Sequence, residues 1–291
     1  MQGAEVGRVP LLLESREALR RWVREAGREG ATVGFVPTMG ALHEGHLTLV
    51  REALRRTDRV VVSIFVNPTQ FGRGEDLDRY PRDLEGDRRL LSQVGCHALF
   101  APPVSEIYRE GGETVVRVGS LGEELCGAFR PGHFQGVATV VAILFNLVRP
   151  DTAFFGLKDY QQFIIIRRMA RDLGFPLRVE GVETVREADG LAMSSRNRYL
   201  SSTEREQAGA LWRALTAARE ALGRGEDDAG RLREVASRVL AEAGVRRVDY
   251  VSLRDAETFS SLERVGSAAV MLIAAYVGST RLIDNLRLVR P

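Results

Sequence analysis

Short apolar runs alternate with helix-like repeats through the first half of the chain. Thr32–Val36 and Arg59–Val66 predict strands, and the second run is apolar almost throughout, as expected for a strand buried on both faces. Further strands are predicted at Ala98–Phe100 and Thr152–Phe155. Helices are predicted at Leu47–Arg56, Arg82–Val94, Phe134–Val148 and Asp159–Leu173. Buried strands that alternate with helices indicate an α/β fold, a Rossmann-like, doubly wound parallel sheet.

The pattern changes after Val185. Two helices and then three strands are predicted, at Ser202–Leu222, Ala229–Gly244, Arg247–Leu253, Ala268–Val277 and Thr280–Leu288. The Gly278-Ser279 step between the last two strands is typical of a hairpin. We therefore predict a Rossmann-like domain over residues 1–184 and a second, smaller α+β domain over residues 185–291.

Composition and charge exclude several classes of protein. Of the 291 residues, 44% are hydrophobic, and 41 basic residues face 39 acidic ones for a net charge of +2, which argues against a nucleic-acid partner. No run reaches the roughly 18–20 apolar residues of a membrane span, and the first residues lack the apolar centre of a signal peptide. Cys96 and Cys126 are too few for a disulfide framework. We expect a cytoplasmic protein without a nucleic-acid or membrane partner.

The segment GFVPTMGALHEGH, residues 34–46, carries the strongest chemical signal. A predicted strand ends there and a helix follows, and helix N-termini at the carboxyl ends of parallel strands favour phosphate. His43 and His46 point the same way on a first helical turn, so both can donate to the charge that grows as diphosphate departs. The spacing differs from the H-E-x-x-H of zinc proteases and is the signature of HxGH nucleotidyltransferases. The alternative is a histidine pair that only caps the helix.

Three further segments carry polar side chains suited to the same chemistry. Asn67 and Gln70, in NPTQF, are amides that bind hydroxyls and carboxylates without adding charge. Lys158 is the sole lysine of the chain and offers a compact charge for phosphate, and Asp159 beside it can accept from ribose hydroxyls. Residues 193–197, MSSRN, combine two hydroxyls with a guanidinium, as a phosphate clamp would. Taken singly, NPTQF and MSSRN are also compatible with plain loops, and Lys158 is compatible with a leftover surface lysine.

Other polar groups are open to more than one interpretation. Arg130 and His133, in RPGHF, belong either to a helix-start turn or to a lid that brings them to an anionic substrate. The acidic stretch 75–87 is expected to be a solvated helix face rather than a source of metal ligands. Gln162 is expected to face a pocket and Gln161 to face away from it.

Taken together, these segments resemble the pantothenate synthetase (pantoate–β-alanine ligase) family over nearly the whole chain. The matching segments are PTMGALHEGH at 37–46, SIFVNPTQF at 63–71, RPGHF at 130–134, FFG and KDYQQ within 154–162, and READGLAMSSRNRYL at 186–200. Leu157 departs from the family, which usually has Glu at this position. The family's acidic residues near the metal have no close match, so the metal ligands stay open.

The resemblance implies an ATP-dependent ligase that condenses (R)-pantoate with β-alanine through a pantoyl adenylate, giving pantothenate, AMP and diphosphate. It also implies Mg²⁺ with the ATP and a homodimer. Because an adenylate is labile in water, the MSSRN clamp and the smaller domain are expected to close over it as a lid. Catalytic roles are implied for His46, His43 and Lys158, with His46 as the usual proton donor. The implied ATP-binding residues are Met39, Gly40, Ala41, Leu42, His43, Glu44, Gly45, His46, Gly156, Leu157, Lys158, Asp159, Val185, Met193, Ser194, Ser195 and Arg196. The implied substrate-binding residues are Gln70, which matches the contact to pantoate and β-alanine, Gln162, which matches a second pantoate contact, and Asn67 as a neighbour of these groups.

Two other functions are compatible with the residues alone. One is an HxGH nucleotidyltransferase that keeps the nucleotide on its product, although such an enzyme has no need of two glutamines facing a carboxylic acid. The other is a non-catalytic nucleotide sensor, which would bind ATP without releasing diphosphate.

Overall fold

A computed structural model describes residues 7–72 and 74–290, and contacts within it divide the described chain into two units. The first unit runs to Leu157 and includes Ile165–Glu183. The second consists of Lys158–Ile164 and the residues from Thr184 onwards. The functional division into residues 1–184 and 185–291 stays a prediction.

A parallel sheet forms the centre of the first unit. Among the described residues it has six strands in the order β1-β4-β3-β2-β5-β6. The strands are β1 (Leu11–Leu13), β2 (Val33–Thr38), β3 (Arg59–Ile64), β4 (Ala98–Phe100), β5 (Thr152–Gly156) and β6 (Arg178–Val182). The helices are α1 (Arg16–Arg28), α2 (Glu44–Arg56), α3 (Leu84–Gln93), α4 (Val104–Ile107), α5 (Cys126–Phe129), α6 (His133–Val148) and α7 (Tyr160–Asp172), of which α7 enters this unit at Ile165. The predicted α/β fold is confirmed.

Helices cover both faces of this sheet. Val60 and Val62 of β3 are fully buried in one cluster with Val50 of α2. On the opposite face, Phe35 of β2 meets Phe145 of α6 edge-on, with ring centroids 6.4 Å apart. A strand covered on both faces needs apolar residues at consecutive positions, which explains the unbroken apolar run of β3.

The strand order reverses at β2. From β2 the chain moves outward through β3 to β4, and it then returns to β5 on the other side of β2. In open α/β sheets, ligands bind at such a switch point, outside the carboxyl ends of the strands. The segment that follows β2, which contains the HxGH motif, therefore starts at the edge where a ligand is expected.

The second unit contains a smaller antiparallel sheet. Its strands, three among the described residues, are β7 (Arg247–Asp255), β8 (Ala268–Val277) and β9 (Thr280–Val289), in sequential order. The helices are α8 (Ser202–Ala208), α9 (Ala210–Gly223) and α10 (Ala229–Glu242). Met271 and Ile273 of β8 share a buried cluster with Leu215 of α9 and Leu232 of α10. This is the smaller α+β arrangement predicted from the sequence.

Several elements differ from the sequence-based prediction. The single helix predicted for Ser202–Leu222 is wrong, because helical hydrogen bonding is interrupted where the Gly209 N–H bonds to Gln207 O. The strands β1 and β6 were not predicted; both are edge strands, and β6 has no fully buried position. Within the described residues, no helix is long and apolar enough to cross a membrane.

Candidate active site

A buried carboxylate holds the turn between β2 and α2. Gly40 and Ala41 both have positive φ, +82° and +51°, and a Cβ on Gly40 would lie 2.9 Å from Ile64 Cγ2. Asp87 of α3 is 3% exposed and accepts from the backbone N–H groups of Ala41 at 2.9 Å and Leu42 at 2.7 Å. A left-handed conformation is costly for alanine, and these charge-assisted hydrogen bonds stabilise it. The path of the turn therefore depends on Asp87.

The sequence-based expectation for this acidic stretch is wrong at Asp87. Residues 75–87 were expected to form a solvated face, yet Asp87 is buried. A signal was present, since Asp87 lies three residues after Leu84 and four before Leu91, on the apolar side of α3. An acid in the middle of an apolar helix face indicates a buried partner.

The two motif histidines cap the first turn of α2. His43 is the N-cap residue, and its Nδ1 accepts from the Gly45 N–H at 3.2 Å. The Nδ1 of His46 accepts from the His43 N–H at 3.3 Å, and the two ring centroids lie 4.1 Å apart. A ring nitrogen that accepts an N–H carries no proton, so each neutral ring bears its proton on Nε2. Capping uses Nδ1 alone and is therefore compatible with donation from Nε2 to a phosphate.

Polar side chains form a hydrogen-bonded network beyond the end of β3. Asn67 is 1% exposed, and its Oδ1 accepts from the Thr69 N–H at 3.3 Å and from the Tyr108 hydroxyl at 2.7 Å. Its Nδ2 donates to Gln70 Oε1 at 3.0 Å and to Gly136 O at 3.2 Å. Both ends of the Asn67 amide are thus occupied by groups of the protein itself.

Gln70 is the half-buried end of this network. Its Nε2 lies 3.1 Å from the Sδ of Met39, so the turns that follow β2 and β3 meet at this amide. A thioether sulfur is a weak acceptor. The NH₂ group of Gln70 is therefore suited to donate to a stronger acceptor, such as a carboxylate or hydroxyl oxygen of a ligand.

Arg130 and His133 support the main chain of Gln70. Arg130 pairs with Glu75 through two contacts of 2.7 and 2.6 Å and also donates to Gln70 O at 3.3 Å. His133 Nδ1 lies 2.9 Å from the same carbonyl, which can only accept, so Nδ1 carries the proton and Nε2 accepts from Arg130 at 3.0 Å. These contacts favour the helix-start interpretation over a lid.

Glu75 is therefore part of the support rather than of a solvated acidic face. Burial alone would raise the pKa of Glu75, but the hydrogen bonds and charge of Arg130 lower it below its usual value. Among the described residues, no three His, Cys, Asp or Glu side chains gather to hold a metal ion.

Lys158 has a fixed main chain in the second unit. Its carbonyl oxygen accepts from Asn285 Nδ2 of β9 at 2.8 Å. Its Nζ lies 3.9 Å from Asp159 Oδ2, and the lysine side chain is 20% exposed. Gly156 and Leu157, which precede it, belong to the first unit at the end of β5. Asn285 was not predicted as part of the site, and nothing in the local sequence points to it.

The residues predicted as a clamp form a short helical turn in the same unit. Ser194 Oγ accepts from the Arg196 N–H at 3.3 Å, and the Met193 N–H donates to Val185 O at 3.0 Å. Two separately predicted contacts, Val185 and the MSSRN segment, are therefore neighbours. On α7, Gln161 is 4% exposed and Gln162 is half-buried, and a pocket role for Gln162 stays a prediction.

A buried ion pair in the second unit was also not predicted from the sequence. Arg186 makes two contacts with Asp284, at 2.7 and 3.0 Å, and its guanidinium carbon lies 3.7 Å from the ring centroid of Trp212. Burial raises the pKa of Asp284, although Arg186 acts in the opposite direction. Gly190 leaves room for the same indole, since a Cβ there would lie 2.1 Å from Trp212 Cδ1.

Comparison with known proteins gives one consistent family. A family model described as pantoate-beta-alanine ligase matches residues 11–287. A pantothenate synthetase from Heliobacterium modesticaldum is 54% identical over 275 residues, which cover 94% of this chain and 98% of that protein.

Two solved structures extend the similarity to the fold. A pantothenate synthetase from Thermus thermophilus is similar with a TM-score of 0.91 and 51% identity, over 96% of this chain and 99% of that one. A pantoate-beta-alanine ligase from Francisella tularensis, crystallised with beta-gamma ATP and beta-alanine, is similar with a TM-score of 0.79 and 32% identity, over 95% and 97% of the two chains.

Proposed function

The chain belongs to the pantoate–beta-alanine ligase family, and we propose that it joins pantoate to β-alanine in two half-reactions driven by ATP. In the first, the carboxylate of pantoate attacks the α-phosphorus of ATP, and diphosphate leaves. In the second, the amine of β-alanine attacks the acyl carbon of pantoyl adenylate, and AMP leaves with pantothenate as the product. The match of the family model over residues 11–287 carries this proposal.

The nucleotide half of the proposal rests on groups that stabilise charge. Adenylyl transfer offers the protein little covalent chemistry, so positioning and charge stabilisation dominate. We assign the Nε2–H groups of His43 and His46 to the phosphate oxygens, with His46 as the proton donor. Lys158 and the 194–196 turn supply further positive charge and hydroxyl donors in this proposal.

The wider ATP contacts are proposed for Met39–His46, Gly156–Asp159, Val185 and Met193–Arg196. Mg²⁺ is proposed to accompany ATP as its phosphate complex, since Mg²⁺ keeps several waters and needs few protein carboxylates. Residues 1–184 are proposed to bind ATP and pantoate, and residues 185–291 to act as the lid. A homodimer and a cytoplasmic location are part of the same proposal.

The acid half of the proposal rests on amide groups. Gln70 presents an NH₂ group next to the motif turn, as the 3.1 Å contact with Met39 shows. We assign Gln70 and Gln162 to the oxygens of pantoate, and Asn67 to the same pocket as the group that orients Gln70. Gln162→Leu is expected to lower kcat/KM for pantoate while ATP binding, measured by calorimetry without pantoate, stays near the wild-type value.

Isotope exchange between ATP and diphosphate tests the reaction. Exchange is expected to require pantoate but not β-alanine, because adenylation is complete before the amine enters. With all three substrates the nucleotide product is expected to be AMP. Release of ADP, or exchange that ignores pantoate, would contradict the adenylate mechanism. A nucleotide-retaining transferase would leave the nucleotide on its product, and a sensor would give no exchange at all.

A further inference from the structure

Two main-chain groups identify the oxygen and nitrogen ends of the Asn67 amide. The Thr69 N–H can only donate and the Gly136 carbonyl can only accept, and they lie 3.3 and 3.2 Å from opposite ends of this amide. The oxygen of Asn67 must therefore face Thr69, and its nitrogen must face Gly136. This assignment needs no assumption about the neighbouring side chains.

The orientation of Asn67 determines that of Gln70. The Asn67 nitrogen is the atom that faces Gln70 at 3.0 Å, so the nearer atom of the Gln70 amide must be an acceptor, its Oε1. The other end of the Gln70 amide, next to Met39, is consequently the NH₂ group. The hydrogen bonds from Asn67 to Gln70 thus direct the NH₂ group of Gln70 towards the site.

Tyr108 also belongs to this series of hydrogen bonds. It follows α4, its hydroxyl donates to Asn67 Oδ1 at 2.7 Å, and the same hydroxyl lies 2.9 Å from Thr69 Oγ1. The Tyr108 ring packs against Phe65, with centroids 6.2 Å apart. Burial raises the pKa of Tyr108, so its hydroxyl keeps the proton that it donates. Of the described hydrogen bonds to the Asn67 oxygen, the one from the Tyr108 hydroxyl is the shortest.

We propose that Tyr108 is a positioning residue for the acid substrate, because its hydroxyl acts through Asn67 to hold Gln70 with the NH₂ group towards the ligand. This inference rests on the proposed role of Gln70 in binding pantoate. It specifies the chemistry at this point of the site: the ligand atom beside Gln70 is an oxygen acceptor. A ligand that places an N–H or ammonium donor there meets a second donor and is rejected.

A double-mutant cycle tests the inference. Tyr108→Phe removes the hydroxyl but keeps the ring against Phe65. In the wild-type background it is expected to lower kcat/KM for pantoate about tenfold, with the KM for ATP changed less than about twofold. In a Gln70→Leu background the same substitution is expected to cost less than about twofold, because Tyr108 then has no amide to position. Where turnover of Gln70→Leu variants is too slow, the Kd for pantoate replaces kcat/KM in the cycle.

Tyr276→Phe is the matched control, since Tyr276 lies on β8 of the second unit and keeps its ring against Arg247 in the variant. Its kinetics are expected to match those of the wild type. An equal loss from Tyr108→Phe in both backgrounds, or no loss in either, would overturn the inference while leaving pantoate-dependent exchange intact. Wild-type kinetics in the Gln70→Leu variant would also overturn the inference, because the inference rests on a role of Gln70 in binding pantoate. Absence of pantoate-dependent exchange in the wild type would instead overturn the proposed function.

Discussion

Asp87→Asn tests whether the motif turn depends on one buried carboxylate. Asparagine has the same shape, but only one end of its amide accepts a hydrogen bond, and its NH₂ group would face the second backbone N–H. The variant exchanges one charge-assisted hydrogen bond for a clash of donors at a site that is 3% exposed. The loss of a hydrogen bond to a charged group and an unsatisfied buried donor together cost about 3 kcal/mol of unfolding free energy.

A loss of this size is expected to lower the melting temperature of the first unit by roughly 6–12 °C. Activity is expected to fall further, because a displacement of about 1 Å in a catalytic group costs about a hundredfold in rate. The assay combines calorimetric melting with ATP–diphosphate exchange at a temperature where the variant is fully folded. Glu85→Gln is the control, since it removes an acidic charge from the exposed first turn of the same helix. Wild-type exchange in a folded Asp87→Asn variant would refute the argument.

Three other substitutions follow from the same geometry. His43→Asn is expected to keep the melting temperature, because asparagine is a good N-cap, while kcat falls about 10²–10³-fold with the loss of Nε2–H; equal rates would show that capping is the only role of His43. Lys158→Arg is expected to lose at least about tenfold in kcat, since a planar guanidinium does not replace a compact ammonium, and a full rate would contradict the argument from the sole lysine. Glu75→Gln is expected to melt below the wild type at pH 7. Because the folded pKa of Glu75 lies below its usual value of 4.5, its contribution is complete above that pH and is lost as the pH falls, so the two melting curves should converge in acid.

The parts of the fold that could be predicted are those with a local signal. The β3 strand is a continuous apolar run because helices cover both of its faces, whereas the edge strand β6 lacks such a run and the edge strand β1 has one of only three residues, Leu11–Leu13. The HxGH turn could also be located from a local signal, since its glycines and histidines lie close together in the sequence.

The contacts of the supporting residues could not be predicted because their partners are distant in sequence. Asp87 binds Leu42 across 45 residues, and Tyr108 binds Asn67 across 41. The burial of Asp87 had a signal in the apolar side of α3, but neither Asp87 nor Tyr108 has a local signal for its partner, which the fold brings close. The sequence therefore located the groups that face a ligand more readily than the groups that hold them in place.

The hydrogen bond between Asn285 and the Lys158 carbonyl has a consequence for biosynthesis. The two residues are 127 positions apart, and Asn285 lies on β9, the last strand of the described chain. At about 5–20 residues per second, a ribosome needs roughly 6–25 s to extend the chain from one to the other. During that interval the nascent chain already carries its lysine but not the amide that fixes its main chain. A ribosome-bound intermediate stalled before residue 285 is accordingly expected to lack this fixation, and the loop matures only when the hairpin has closed.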